Sequence, residues 1–213
     1  MSAAYDVGMS DGSGAHTASE RRPYAKGIAR RRQIIQNAIA EFAERGVDGT
    51  SLRTLSEAIG VSHATLQHYF ASRDELLIEV YRAHEEHAVA AADGLGDAVE
   101  VMAASAERNR TIPGLVRLYA TLATDALQES HPATTEFIGA RFRQLRDDLA
   151  DRIRTAQEAG AVAADIEPHD AAALVIAASD GLQVQWLLDP DAVDVRRSLA
   201  LLERLLPGSA NPA

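Results

Sequence analysis

Seven histidines, 31 carboxylates and no cysteine are the groups from which reactive chemistry in this chain would have to be built. Without cysteine there is no thiolate nucleophile, no disulfide and no thiolate-bound zinc. The densest pairing is His84-Glu85-Glu86-His87, whose histidines stand three apart, one turn of a helix. A helical zinc-hydrolase site needs its histidines four apart around the glutamate, so this segment reads as the solvated face of a long helix and no metal is expected. Asp147, Asp148 and Asp151 lie beside Arg146, Arg152 and Arg154 and read as surface ion pairs. No nucleophile elbow, phosphate-cradling glycine loop or carboxylate–histidine cluster stands in a supporting context, so neither an enzyme nor a cofactor is expected.

A second kind of chemistry, hydrogen bonding by neutral and basic side chains, is concentrated in Thr50 to Glu75, TSLRTLSEAIGVSHATLQHYFASRDE. The net charge of −10 argues against a nucleic-acid partner, but its distribution reverses that impression. Residues 20–73 carry +4, residues 74–213 carry −12 and residues 1–19 carry −2. A basic module attached to an acidic body suits a head that approaches phosphates.

Two short helices and a tight turn must position those side chains. Leu52, Leu55, Ala58 and Ile59 share one helical face, with Ser51 placed to cap its start and Gly60 to end it. Val61 fits the corner, Ser62 caps a second helix, and Leu66, Tyr69 and Phe70 repeat the spacing. The pattern predicts a helix-turn-helix. Ahead of it, Ile34, Ile35, Ala38, Ile39, Phe42 and Ala43 define an amphipathic helix over Lys26 to Arg45, with Gly46 as its left-handed cap. Behind it, Ser72 and Glu75 form a capping box that opens a third helix running to about Ala92.

The remainder also reads as helical, from about Asp97 to Asn109, Pro113 to Leu127, Ala133 to Ala159, Pro168 to Leu188 and Asp191 to Leu206. Ala171 to Leu188 is apolar on nearly every side, yet Ser179, Asp180, Gln183 and Gln185 interrupt it, so it reads as a doubly buried helix rather than a membrane span. One side would face its own domain and the other a second subunit. The expected fold is all-α: residues 1–19 a tail, 20–72 a helix-turn-helix head, 73–206 a helical effector-binding and dimerisation body, and 207–213 a second tail. Absence of a signal-peptide core and of cysteine suits a cytoplasmic protein.

Phe42 and Gly46 followed by TSLRTLSEAIGVSHATLQHYFASRDELL resemble the TetR-type transcriptional regulators, closely over Ile34 to Tyr81 and by helix count and the segment DGLQVQWLLDP beyond. The resemblance implies a homodimer, held through its last two helices, that binds double-stranded palindromic operator DNA and releases it when a small-molecule effector occupies the body. It implies that the helix Ser62 to Phe70 enters the major groove. His63, Ala64, Gln67 and His68 would then meet base edges and Ser51, Arg53, Thr65 and Tyr69 phosphates, with Ser62, which opens that helix, the ninth DNA-binding residue. Gln can pair with adenine N6 and N7, and a small Ala leaves room for a thymine methyl. Similar proteins usually carry Tyr where this chain has Gln67, which shifts that position from phosphate clamp toward base contact. The competing class is a helical interaction module that reads no DNA sequence.

An effector pocket should be mostly apolar with a few orienting polar groups. Met102, Tyr119, Leu122, Phe142, Asp180, Gln183 and Trp186 are the candidates, each on a predicted body helix. With 5% aromatics, no aromatic cage for a quaternary ammonium is apparent.

Overall fold

The computed structural model describes residues 18–45, 51–90 and 96–205, with side chains described over 26–42, 51–85 and 96–202. Residues 1–17 of the predicted first tail, the whole of the second, the Gly46 cap and the side chain of His87 lie outside the described residues, whereas Ala18 and Ser19, placed in the first tail, already belong to a helix. Within them every regular element is a helix: α1 (Ala18–Arg45), α2 (Leu52–Ile59), α3 (His63–Tyr69), α4 (Arg73–Ala90), α5 (Ala98–Arg110), α6 (Pro113–Asp125), α7 (Pro132–Glu158), α8 (Pro168–Leu188) and α9 (Val195–Leu205). Backbone contacts divide the chain into two units, Met1–Gln33 and Ile34–Ala213, and the division falls inside α1.

Local chemistry explains the helix boundaries. Ser51 Oγ accepts from the Thr54 amide at 3.3 Å and Ser62 Oγ from the Thr65 amide at 3.1 Å, satisfying first-turn donors that have no partner inside α2 or α3. Between them Gly60 takes φ +76°, a left-handed conformation that costs a residue without Cβ nothing, while Val61 N–H bonds the Ser56 carbonyl at 3.0 Å. Ahead of α4, Ser72 Oγ accepts from the Glu75 amide at 3.1 Å, and the Glu75 carboxylate reaches back to the Ala71 amide at 2.7 Å.

Two buried clusters hold the unit together. The first gathers Phe42 of α1, Leu55 and Ile59 of α2, Leu66 of α3, the α3-terminating Phe70, and Leu76 and Leu77 of α4. It does not stop at residue 72: Leu115, Leu118 and Leu122 of α6 and Ile138 of α7 belong to the same cluster. Each such side chain contributes about 1.5–3 kcal/mol by leaving water. The second cluster joins α5, α7, α8 and α9 through Met102, Leu149, Ile153, Val175, Ile176 and Leu199.

Several elements depart from their predicted outlines. α1 starts at Ala18, eight residues ahead of Lys26. Ala58 is exposed and Ser56 buried, its hydroxyl donating to the Arg53 carbonyl at 2.7 Å, so a polar residue completes the α2 inner face. α6 ends at Asp125, and Leu127 beyond it is 88% exposed. α9 begins at Val195, because Asp194 accepts from the Arg197 amide at 2.9 Å and caps the helix. α8 alone among the described residues is long and apolar enough to cross a membrane, yet one third of that window is buried inside this fold.

Candidate nucleic-acid interface and internal cavity

α3 sits on the unit by one edge. Leu66 and Phe70 are buried, and Tyr69 packs half-buried against the same cluster. That anchoring turns the opposite edge outward: Ala64, Gln67 and His68 are exposed, and His63 and Thr65 are half-buried. His68 stands edge-on to Tyr69, ring centres 4.9 Å apart. Gln67 has no hydrogen-bond partner among the described residues, so both its donor and its acceptor are available to a base edge. Arg53 is outward as well, 3.6 Å from Glu57 in a solvated i,i+4 pair that costs little to exchange for a phosphate. Ser51 and Ser62 are exposed at the first turns of α2 and α3, their oxygens also held 3.2 and 2.7 Å from the Thr54 and Thr65 hydroxyls. The nine sequence-predicted DNA residues thus lie within one continuous helix-turn-helix.

The body holds a cavity of about 110 Å³ between α4, α5 and α7, with a smaller one of about 20 Å³ beside it toward α6 and α8. Tyr81, His84, Met102, Asn109 and Arg141 border both. Of the sequence-predicted ligand residues, Met102, Tyr119, Asp180 and Gln183 line these cavities; Leu122, Phe142 and Trp186 line neither and pack into the apolar clusters instead.

Arg141, which the sequence reading passed over, organises this region. Its Nε donates to Glu85 at 2.6 Å, and its guanidinium carbon lies 4.7 Å from the Tyr119 ring centre and 5.7 Å from that of Tyr81. The two tyrosines stack at 5.4 Å, and Tyr119 donates its hydroxyl to Asp180 at 2.7 Å. Burial opposes the Arg141 charge, but the faces of the Tyr81 and Tyr119 rings and the ion pair with Glu85 outweigh it and keep the guanidinium a fixed cation. Burial raises both tyrosines far above their ordinary range, so they remain neutral donors. A parallel chain of amides runs alongside: Asn109 Nδ2 donates to Gln183 at 2.7 Å, and Gln183 reaches the Ser179 carbonyl and hydroxyl at 3.3 Å. With its amide nitrogen spent on Gln183, Asn109 presents its oxygen to His84 Nε2 at 3.3 Å, which makes that nitrogen the donor.

Asp180 is raised above the usual carboxylate range, mainly by burial and partly by Glu85, against the pull of Tyr119 and Arg141. A folded-state pKa above the unfolded one means that its stabilising contribution is complete below the unfolded pKa and is lost as pH rises through the folded pKa. Asp180→Asn keeps an acceptor for Tyr119 and removes the titration. In melting curves recorded from acid to neutral pH, the variant should gain on the parent as pH rises; a constant difference would show that Asp180 ionises as freely as an exposed carboxylate.

Asp74, Asp125 and His131 bring their ligand atoms within 4.8 Å of one another where α4 begins. Arg73 lies among them, 2.8 Å from Asp125 and 3.3 Å from Asp74, and His131 Nδ1 meets Asp74 at 2.7 Å. The acceptors are therefore matched by a cation of the chain itself, and the group ties α4 to the α6–α7 connection.

Residues 34–80 match the family model of bacterial regulatory proteins of the tetR family, and residues 117–209 match that of the C-terminal region of BetI-type transcriptional repressors. The HTH-type transcriptional repressor Rv1474c of Mycobacterium tuberculosis is 31% identical over 144 residues, covering 67% of this chain and 73% of that protein. Among solved structures, a putative TetR-family transcriptional regulator from Rhodococcus sp. superposes with a TM-score of 0.69 at 23% identity, over 84% of this chain and 98% of that one. A putative transcriptional regulator from Saccharomonospora viridis in complex with choline gives 0.65 at 22% identity, over 83% and 95%. The head's helix-turn-helix, the all-helical body and these similarities have one explanation: the chain belongs to the TetR family of bacterial regulatory proteins.

Proposed function

We propose that this protein is a ligand-responsive transcriptional repressor that binds a palindromic operator as a homodimer and releases it when a small molecule enters the body. The observation that carries the reading is the exposed edge of α3, where Ala64, Gln67 and His68 face outward from a helix fixed by Leu66 and Phe70. His63, Ala64, Gln67 and His68 are assigned to bases, and Ser51, Arg53, Ser62, Thr65 and Tyr69 to the phosphates that set register. The alternative, an interaction module that reads no DNA, leaves that edge unexplained and finds no support among the relatives.

Dimerisation is assigned to α8 and α9. On α8, Leu174, Ala177, Gly181, Val184 and Leu188 are exposed at spacings of three and four, an apolar seam of coiled-coil period. Leu174 is 53%, Leu188 82% and, on α9, Leu201 51% exposed, whereas Leu187 and Leu202, equally apolar in sequence, are half-buried. Asp180 and Gln183 lie on the cavity side of α8, so one helix carries both the proposed effector contact and the proposed subunit seam.

Release follows from α4. Its first turns, with Leu76, Leu77 and Val80, belong to the core under the helix-turn-helix, and Tyr81, His84 and Glu85 one turn later line the cavity. An effector that displaces those side chains would move α4 and with it the head, away from the one-turn separation of about 34–36 Å that two half-sites demand. Choline, bound by one structural neighbour, is a poor fit here, because Arg141 already lies over both tyrosine rings.

The residue roles are tested by gel shift on the protein's own upstream DNA and on single-base variants of it. Gln67→Ala should relax discrimination at one base pair per half-site by about 1–3 kcal/mol, and Tyr69→Phe should weaken every sequence alike. Equal weakening of all sites by both variants would overturn the division.

A further inference from the structure

The donors and acceptors around the cavity do not balance. Arg108 on α5 lines it, and its Nε is buried with no acceptor. A guanidinium can only donate, and the Arg108 side chain has neither a hydrogen bond nor an ion pair among the described residues, so its charge in the cavity wall is unmatched. The acceptors nearby are matched: Glu85 by Arg141 at 2.6 Å, Asp180 by the Tyr119 hydroxyl at 2.7 Å, and Gln183 Oε1 by Asn109 at 2.7 Å. The faces of Tyr81 and Tyr119 that would receive a cationic ligand carry Arg141. What this cavity lacks is an anionic acceptor.

Val101, Met102 and Leu145 supply the apolar part of the wall, and Ser105 stands one helical turn before Arg108 and Asn109 on the same side of α5. At about 110 Å³ the space is of the order that takes a single ring such as benzene. We propose that the cavity takes a small monocarboxylate with a compact apolar body, its carboxylate paired with Arg108 and its body against Val101, Met102 and Leu145. The assignment rests on the reading of the chain as an effector-responsive repressor and names the chemical class of that effector. It also gives the ligand a route to the head, because His84 and Glu85 of α4 share the wall of the cavity that the ligand fills.

Calorimetric titration of the full-length protein with sodium benzoate, neutral benzamide and choline chloride tests the class. Benzoate should bind at millimolar concentration or below, benzamide at least about tenfold more weakly, and choline not at all. Arg108→Gln should weaken benzoate by roughly 10- to 100-fold, because a charge-assisted hydrogen bond is removed while the cavity is kept. Ser105→Phe, which fills the space, should abolish binding. Melting curves establish that each variant is folded; if Arg108→Gln is not, the benzoate-to-benzamide ratio on the parent and the Ser105→Phe result decide. The assignment is overturned by equal binding of benzamide, by a folded Arg108→Gln variant that keeps its benzoate affinity, by preferential binding of choline, or by no binding of any probe. Ligand-free operator binding is measured in parallel. A protein that binds its operator but no carboxylate loses only this inference, whereas one that binds benzoate and no operator loses the repressor reading.

Discussion

Val184→Arg, a single charge at the middle of the exposed α8 stripe, should turn the protein into a folded monomer that binds its operator roughly 100-fold or more weakly than the parent. The physical reason is symmetry. In a two-fold interface the substitution occurs twice and sets two like charges in a patch where Leu174, Val184 and Leu188 offer nothing to pair with them. Val184 is already 42% exposed in the single chain, so its own fold has little to lose. Leu127→Glu is the control, since Leu127 is 88% exposed but lies beyond the end of α6 and off that stripe. Sedimentation velocity with circular dichroism separates the outcomes. A Val184→Arg protein that remains dimeric would move the interface off α8, and a Leu127→Glu protein that becomes monomeric would move it to the α6–α7 connection.

Arg141→Met should cost about 2–4 kcal/mol of folding stability. Breaking a buried pair by removing one partner costs about 3–5 kcal/mol, and the value is reduced here because the Glu85 side chain remains 30% exposed. Three groups lose their partner at once: Glu85 its cation, Tyr119 the guanidinium over its ring, and Asp180 the charge that favours its ionised form. Adding Glu85→Gln to Arg141→Met should recover part of the loss, because the uncompensated carboxylate is then gone. Denaturant melts of the parent, both single variants and the double variant give the coupling directly. Additive effects would mean that the 2.6 Å contact between Arg141 and Glu85 contributes no more than a solvated pair.

The Arg141 network shows where the sequence stops being readable. Periodicity locates helices and their inner faces because spacing is a local property, and capping residues such as Ser51, Ser62 and Ser72 act on amides three positions away. Glu85 and Arg141 are 56 residues apart, and Tyr119 and Asp180 are 61 apart. Nothing in the local pattern around Arg141 distinguishes it from Arg143 or Arg146, and a charged residue on a long helix reads as solvated. Arg108 was hidden for the same reason near the end of α5. Leu122, Phe142 and Trp186 had the right residue types for a pocket wall, but both apolar clusters claimed them, because the volume between helices is set by packing that no single helix specifies.

The α8 helix is the opposite case. Its two-sided apolarity was legible in sequence, and the fold buries Val175, Ile176 and Ser179 on one side while leaving Leu174, Ala177 and Val184 on the other. Of the four polar positions that argued against a membrane span, Ser179, Asp180 and Gln183 meet the polar interior beside the cavity, and Gln185 is exposed.

Fluorescence anisotropy of the full-length protein on a labelled duplex from its own upstream region, against a shuffled duplex of equal length and composition and across a salt series, decides whether the helix-turn-helix reads a DNA sequence. The protein should bind the upstream duplex as a dimer at least about a thousandfold more tightly than the shuffled one. Log K should fall linearly with log salt, as Arg53 and its neighbours displace counterions from phosphates. Equal affinity for the two duplexes at every salt concentration, or no binding to either, would contradict sequence reading by the helix-turn-helix.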